Sequence, residues 1–167
     1  NSLGKYDYFV ICVDSDAATV HQREIKIRKL LERSNINLTD TSLKIIVQNP
    51  CIETWFLGNR RVYTRNPQKN RNFIEYSMFY DVSKKDPELM KKPDKFEGSI
   101  SSFHFKYLKS MFDERGGMFY SKANSSEVQR RTYLKELQKR VDDEPCHLLT
   151  FINFLNFCNK IRAEIKR

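Results

Sequence analysis

Two aspartates follow the first apolar stretch of the chain at a spacing that suits a metal site. Asp14 and Asp16 come directly after residues 6–13, a nearly continuous apolar run rich in Val, Ile and Phe. Ligands of open α/β sheets bind outside the carboxyl ends of the strands, which is where these two carboxylates would stand. If the strand geometry persists through position 16, both side chains project to one side, and their oxygens could share a Mg²⁺ that also binds substrate phosphate. Such an ion activates water for phosphodiester hydrolysis.

The same two residues also have a purely structural interpretation. Asp is a favoured N-cap, so Asp16 could begin a helix over residues 17–34 while Asp14 is a turn residue. An Asp-x-Asp pair considered by itself favours this interpretation over a metal site. The surrounding elements and the other acidic residues therefore have to decide between them.

The pattern around the pair predicts an α/β fold that begins with a βαβ unit. Residues 6–13 have the composition of a parallel strand covered on both faces, residues 17–34 repeat apolar side chains on one helical face, and residues 43–48 form a second β-branched strand. We expect a Rossmann-like, mainly parallel sheet flanked by helices, followed by a helical C-terminal half.

A short helix after the second strand brings in a third carboxylate. Pro50 suits its first turn, Gly58 suits its end, and the predicted span is residues 51–57. Glu53 then lies near the same carboxyl edge as Asp14. The alternative is that Glu53 only complements the helix dipole. Trp55 is predicted to be a core residue in preference to a base-stacking one.

The remainder of the chain is predicted to be loops followed by helices. Residues 59–98 read as long loops with one helix near residues 71–79. Helices are predicted over residues 102–112, over 127–141 with Ser126 and Gln129 as a capping box, and from Pro145 onward. An apolar stripe on the last helix should pack on the sheet; its members are Leu148, Ile152, Leu155, Cys158, Ile161 and Ile165.

The charge balance favours a polyanionic partner. The chain carries 30 Lys and Arg against 21 Asp and Glu, a formal net charge of +9. Cations and one aromatic ring are interleaved just beyond the predicted short helix, an arrangement that suits a phosphate backbone with an unstacked base. These candidate nucleic-acid-binding residues are Arg60, Arg61, Tyr63, Arg65, Lys69 and Arg71. A solvated basic loop is the alternative.

Several other classes of protein are disfavoured. No apolar run approaches the roughly 18 residues of a membrane span. The four cysteines, Cys12, Cys51, Cys146 and Cys158, lie in apolar segments and are expected to be buried thiols in a reducing compartment, which favours the cytoplasm. The sequence contains no zinc-type Cys/His spacing, phosphate-binding P-loop or Gly-x-Ser-x-Gly elbow.

The order strand, Asp-x-Asp, helix and strand resembles the second half of a TOPRIM domain, the metal-binding module of topoisomerases, DnaG-type primases and OLD-family nucleases. Three further motifs, VQNPCIETWFL at 47–57, YSK at 120–122 and HLLTF at 147–151, resemble the small TOPRIM-like proteins of the RloB type. Those proteins are encoded beside restriction and phage-defence systems. The resemblance treats residues 1–167 as one domain with a loop-rich insertion over about 59–98.

The resemblance implies a Mg²⁺-dependent or Mn²⁺-dependent nuclease that cuts DNA or RNA in antiviral defence. It makes Asp14, Asp16 and Glu53 both metal ligands and catalytic residues, and it adds Lys122 and His147 as catalytic residues. It also implies a partner protein such as an ATPase encoded beside it, and further copies of the chain. The alternatives are a nucleic-acid-binding subunit without catalysis and a protein-interaction scaffold.

One feature of TOPRIM domains is missing from this sequence. Such domains carry a glutamate in a first βα unit that precedes the Asp-x-Asp pair by tens of residues, whereas only thirteen residues precede Asp14 and none is Glu. We therefore expect that the first βα unit lies upstream of this chain. Loss of the glutamate, leaving a domain that binds without cutting, is the alternative.

Overall fold

The computed structural model describes residues 6–34, 36, 38, 40–66 and 68–165. That part of the chain is a mixed α/β protein with seven α-helices, a two-stranded parallel sheet and a helical second half, which confirms the predicted mixture of α and β structure and the helical C-terminal half. None of its helices combines the length and apolar character needed to cross a membrane. The elements in chain order are β1 (Tyr8–Asp14), α1 (Val20–Arg33), β2 (Ser42–Gln48), α2 (Ile52–Leu57), α3 (Arg71–Phe79), a 3₁₀ turn (Pro87–Leu89), α4 (Ile100–Arg115), α5 (Ser126–Gln129), α6 (Arg131–Asp143) and α7 (Leu149–Ile165).

The two strands differ in how deeply they are buried. They pair in parallel over their whole length, so that Asp14 lies opposite Gln48 at the carboxyl end. β2 buries residues 45–47, whereas Val10 of β1 is 40% exposed and α1 contains no buried residue. Within the described ranges β2 is the only strand paired with β1. The prediction that the first strand is covered on both faces is therefore wrong for this part of the chain.

Helix α1 begins later than predicted. Its N-cap is Thr19, whose hydroxyl accepts the Gln22 N–H at 3.2 Å while the Gln22 side chain accepts the Thr19 N–H at 2.9 Å. This reciprocal capping box satisfies two N–H groups, those of Thr19 and Gln22, at the start of the helix. Asp16 lies three residues earlier with a left-handed φ of 53°. The prediction that Asp16 caps the helix is wrong, because the chain turns between strand and helix before α1 begins.

Trp55 is a core residue, as predicted. Its side chain is 4% exposed and its ring packs against Phe151 and Phe154 of α7. The indole N–H donates to Thr150 Oγ1 at 2.8 Å, so its polar atom is satisfied within the core. These contacts fix α2 against α7.

The loop-rich segment after α2 contributes to the core. Its predicted helix is confirmed as α3, and in the following loop Val82 and Met90 are 0% and 1% exposed. Arg140 of α6, which is 1% exposed, donates to the carbonyl oxygens of Val82 and Lys85 at 2.8 and 2.9 Å. The guanidinium therefore holds the loop against α6 through backbone acceptors.

The predicted helix over residues 127–141 is two helices. Arg130 has an extended conformation with φ −61° and ψ 137°, and it separates α5 from α6. Ser126 lies inside α5 and the Gln129 side chain donates to Ser125 Oγ at 2.8 Å, so the predicted capping box is wrong. The break at Arg130 lets the two helices take different directions.

The last helix packs on the sheet, and the predicted stripe is buried at Leu148, partly buried at Ile152, Leu155, Cys158 and Ile161, and exposed at Ile165. Helix α7 begins at Leu149, and Leu148 before it is buried with a left-handed φ of 53°. The residues buried most deeply on α7 include Phe151 and Phe157, and the Phe157 ring contacts Tyr8 of β1 edge-on. The predicted stripe of Ile152, Leu155 and Ile161 is only partly buried, and Ile165 is 81% exposed.

The cysteines are all free but are not all buried. Cys51 is buried and Cys158 is partly buried, whereas Cys12 and Cys146 are exposed. The prediction of four buried thiols is therefore wrong for two of them. Cys12 lies on the incompletely covered β1, and Cys146 lies in the turn that precedes α7.

Candidate active site

The carboxyl edge of the sheet positions Asp14 beside the beginning of α2. The backbone ladder continues past the strands, because Ser15 N–H donates to Gln48 O at 2.9 Å and Asp16 N–H donates to Pro50 O at 3.0 Å. Asp14 Oδ1 then accepts the N–H of Ile52, the first residue of α2, at 3.1 Å. A carboxylate has about four acceptor sites, so this single bond leaves Asp14 with capacity for another partner.

Glu53 is held close to this edge by contacts from outside α2. It is 4% exposed, and its Oε1 accepts the Tyr120 hydroxyl proton at 3.1 Å across 67 residues of sequence. The Cys51 thiol also interacts with Glu53, and burial is the main cause that raises the pKa of that thiol to about 12. Burial, followed by the charge of Glu53, also raises the pKa of the Tyr120 hydroxyl, which therefore stays protonated at neutral pH and donates to the Glu53 carboxylate.

A buried hydrogen-bond chain fixes α2 and therefore fixes Glu53. Thr54 Oγ1 lies 2.9 Å from His104 Nδ1, and His104 Nε2 lies 3.0 Å from Met90 O. A carbonyl only accepts, so Nε2 carries the proton and Nδ1 accepts the Thr54 hydroxyl. Burial lowers the pKa of His104 to about 4, which keeps the ring neutral in this role. His104 is a structural residue of α4 that orients the helix bearing Glu53.

Asp14, Glu53 and Tyr120 line one pocket of about 350 Å³ at the carboxyl edge of the sheet. It combines residues from β1, α2, the segment after α4, and α5, which are far apart in sequence. The lining residues are Asp14, Ile52, Glu53, Phe56, Tyr120, Lys122, Ser125, Val128 and Gln129. The structure thus brings together three sequence-predicted site residues, Asp14, Glu53 and Lys122.

Crowding of negative charge perturbs the electrostatics of this pocket. Burial, followed by the charges of Glu53 and Asp16, raises the pKa of Asp14 from 3.8 to about 6. The Ile52 N–H and the Lys122 ammonium oppose this rise but do not cancel it. Buried carboxylates that repel one another are stabilised by a cation or by a proton, and strongly perturbed carboxyl groups in a cleft are typical of functional sites.

Asp16 lies near this pocket but does not line it. Its left-handed φ ends the strand geometry, so the condition for Asp14 and Asp16 to project to one side is not met. The Asp16 side chain instead forms an ion pair with Arg23 of α1 at 2.6 Å and accepts the Ser101 hydroxyl at 3.2 Å. Asp16 contributes negative charge near Asp14 while its oxygens are held by α1 and α4.

The tightest grouping of metal-ligand side chains in the described ranges lies elsewhere. Its members are Glu144, Cys146 and His147, whose ligand atoms all lie within 4.8 Å of one another; Asp14, Asp16 and Glu53 form no group this close. Two guanidiniums already contact this cluster. Arg60 donates to Glu144 Oε1 at 3.3 Å, and Arg140 donates to His147 Nδ1 at 2.9 Å.

These cationic contacts make the Glu144, Cys146 and His147 cluster a poor cation site. A guanidinium has only donors, so His147 Nδ1 must accept and the neutral ring carries its proton on Nε2. A metal ion would have to displace Arg140 or that proton while close to two positive charges. His147, a predicted catalytic residue, also does not line the carboxylate pocket. Its observed partner is the buried arginine that holds the central loop.

The predicted nucleic-acid-binding residues divide into engaged and exposed side chains. Arg60 donates to Ser83 O at 3.0 Å and pairs with Glu144, while Tyr63 packs edge-on against Phe73 in the core. Burial, followed by the charge of Asp81, raises the Tyr63 pKa to about 12, which agrees with that enclosed position. The exposed members of the set are Arg61, Arg65, Lys69 and Arg71.

A second pocket, of about 340 Å³, contains cations that the sequence did not single out. It is lined by Asn59, Arg61, Val62, Arg115, Gly117, Met118, Glu127, Arg130, Thr132, Tyr133 and Glu136. Arg115 ends α4 and Arg130 separates α5 from α6, so no local spacing connects either residue with Arg61. Packing alone brings these three guanidiniums to one cavity.

No family model matches the chain, and no curated protein or solved structure is significantly similar to it.

Proposed function

We propose that this chain is a divalent-cation-dependent nuclease domain of the TOPRIM class, which hydrolyses phosphodiester bonds of DNA or RNA in antiviral defence. The observation that carries the proposal is the pocket at the carboxyl edge of the sheet, where Asp14, Glu53 and Lys122 converge with Tyr120. The TOPRIM class and the role in defence rest on the resemblance to proteins of the RloB type. The surplus of positive charge supports a nucleic-acid substrate.

The residues of the pocket fit a Mg²⁺ or Mn²⁺ ion. Both metals prefer carboxylate and water oxygens, and Asp14 and Glu53 supply two such groups beside a cavity large enough for bound water. The ionised form of Asp14 is destabilised by burial and then by neighbouring negative charge, and a divalent cation would offset this. When bound, the ion would supply an activated water and compensate charge on the phosphodiester.

Each side chain has a distinct task in this proposal. Asp14 and Glu53 would hold the cation, and the Tyr120 hydroxyl orients Glu53. Lys122, which is exposed at the pocket, attracts the phosphodiester and offsets the charge that develops on its oxygens. Asp16 adds negative potential from beside the pocket, while Arg23 limits its ability to bind a metal directly.

Nucleic-acid binding without cleavage is a second candidate function. The observation that favours it is the engagement of Asp16 by Arg23, which leaves two carboxylates in the pocket in place of the predicted three. A cation held by two carboxylates could still neutralise a bound phosphate. The two functions differ only in whether the bound strand is cut.

A cleavage assay distinguishes these functions. End-labelled single-stranded and duplex DNA and RNA are incubated with the chain in Mg²⁺, in Mn²⁺ or in EDTA, and the products are separated by length. We expect cation-dependent cleavage that Asp14→Asn and Glu53→Gln abolish, whereas Asp113→Asn, at an exposed position on α4, leaves it intact. Binding without cleavage under every condition would support the second function. Cleavage that survives both pocket variants would refute the proposed site.

A further inference from the structure

Two pockets have adjoining linings: the arginine pocket, which contains Arg61, Arg115 and Arg130, and the carboxylate pocket, which contains Asp14, Glu53 and Lys122. Gln129 lines the carboxylate pocket and Arg130 lines the arginine pocket, and consecutive Cα atoms are about 3.8 Å apart. Met118 lines the arginine pocket and Tyr120 lines the carboxylate pocket. Because they are two residues apart in the chain, their Cα atoms lie at most about 7 Å apart. The linings of the two pockets therefore adjoin at two points of the chain.

An exposed aromatic ring lies on the segment between the two pockets. Phe119 separates Met118 of the arginine pocket from Tyr120 of the carboxylate pocket, and it is 52% exposed. The neighbouring Tyr120 is 4% exposed and packs against Phe112, so the segment buries one ring and presents the next to solvent. An exposed ring is a surface on which an unpaired base can stack, and the chain connects this ring directly to the linings of both pockets.

The cations of the arginine pocket are available to a phosphate. Among the described residues no carboxylate lies within 4.0 Å of the Arg115 guanidinium. Arg61 is 68% exposed and its partner Glu136 is 3.7 Å away, and Arg130 is 65% exposed despite its pair with Glu127 at 2.7 Å. Each guanidinium faces solvent although its partner carboxylate is only 29% (Glu136) or 18% (Glu127) exposed, so a phosphate oxygen can reach the remaining N–H donors.

We propose that Arg61, Arg115, Arg130 and Phe119 form a subsite that binds an unpaired nucleic-acid strand and leads it into the carboxylate pocket. The guanidiniums bind a backbone phosphate, and the Phe119 ring stacks with the adjoining base. This inference deepens the proposed function and rests on it for the choice of nucleic acid as the ligand. It adds a preference for single strands, because a base within a duplex cannot reach the Phe119 face.

Binding without metal tests the subsite independently of cleavage. Fluorescence anisotropy in EDTA is measured with labelled oligothymidylate and oligouridylate of about 12 nucleotides and with a duplex of the same length. We expect the single strands to bind more tightly, and Phe119→Ala to weaken that binding about tenfold while Phe119→Tyr retains it. The combined Arg115→Ala and Arg130→Ala variant should flatten the dependence of log affinity on log salt concentration by about 0.7, the value for one lost phosphate contact.

Matched variants separate a specific subsite from a diffuse basic surface. Lys139→Ala removes an exposed cation of α6 that does not line the pocket, and Arg115→Lys retains the charge at the pocket. We expect near-normal binding for both. Equal losses in the Lys139 and Arg115 alanine variants would overturn the subsite, as would equal affinity for duplex and single strand. Thermal unfolding of each variant checks that these exposed substitutions leave the fold intact.

The same measurements separate this inference from the proposed function. Binding that depends on Arg115, Arg130 and Phe119, without cleavage in Mg²⁺ or Mn²⁺, would support the subsite and refute the nuclease. Cleavage that depends on Asp14, together with binding that is unaffected by these three residues, would refute the subsite and leave the nuclease supported.

Discussion

Replacement of Asp14 by Asn should stabilise the metal-free protein at neutral pH. The pKa of Asp14 is about 6 in the folded state, against 3.8 for an unperturbed group, so the folded state binds this proton more tightly than the unfolded chain does. At about 1.4 kcal/mol per pH unit, this difference corresponds to about 3 kcal/mol when both states are ionised. Asp14 is only half-buried, and solvent screening reduces the expected effect to about 1–2 kcal/mol.

The sign of this effect fixes its pH dependence. A carboxyl group whose pKa is raised on folding contributes no penalty below pH 3.8, where both states are protonated. The penalty grows as pH rises through about 6, where the folded state must release its proton. Asn keeps an oxygen that can accept the Ile52 N–H and carries no charge, so Asp14→Asn should remove the penalty. The variant should therefore gain stability relative to wild type between pH 4 and 7.

Urea unfolding followed by circular dichroism at pH 4 and pH 7 measures this difference. A gain of about 1–2 kcal/mol at pH 7 corresponds to a melting temperature higher by roughly 2–8 °C. Mg²⁺ should stabilise the wild type by mass action, by about 2.7 kcal/mol at a concentration one hundred times the Kd, but should leave Asp14→Asn unchanged. Asp113→Asn on α4 is the control and should alter neither quantity. A variant that is less stable at pH 7, or one that still responds to Mg²⁺, would refute the crowded carboxylate site.

Three further substitutions test other contacts. Tyr120→Phe removes the hydroxyl that orients Glu53 and should lower the apparent Mg²⁺ affinity about 10-fold or more. The affinity is measured from the Mg²⁺-dependent rise in melting temperature, with Tyr6→Phe as the exposed control. Burial raises the pKa of Glu88 from 4.5 to about 7, so the wild-type protein should lose stability as pH rises through this range. Glu88→Gln should reduce that loss, and an unchanged pH profile in urea unfolding would contradict this. Arg140→Leu leaves the Val82 and Lys85 carbonyl oxygens without their donor and should destabilise the fold by about 2–4 kcal/mol, whereas Lys139→Leu on the exposed face should cost far less.

The sequence was sufficient to place Asp14 and Glu53 at the same edge. Apolar runs of strand length on either side of a helical pattern predicted the βαβ order, and parallel strands necessarily end at one edge of a sheet. The bounds of α2 were predicted to within one residue and Gly58 is its C-cap, although Pro50 lies before the N-cap Cys51 and not in the first turn. Helix α3 was also predicted with its observed bounds. These features depend on neighbours within a few residues, which a sequence displays directly.

Only the tertiary structure decided which side chains complete the site. Tyr120 reaches Glu53 across 67 residues, and Arg115 and Arg130 meet at one pocket because α4, α5 and α6 pack together. The turn at Asp16 follows from a backbone hydrogen bond to Pro50, which no local pattern predicts. Likewise, a charged residue looks the same in sequence whether it faces solvent or a distant partner, so the burial of Arg140 could not be foreseen. Local sequence specifies elements and their polarity, but the partner of each polar side chain depends on how those elements pack.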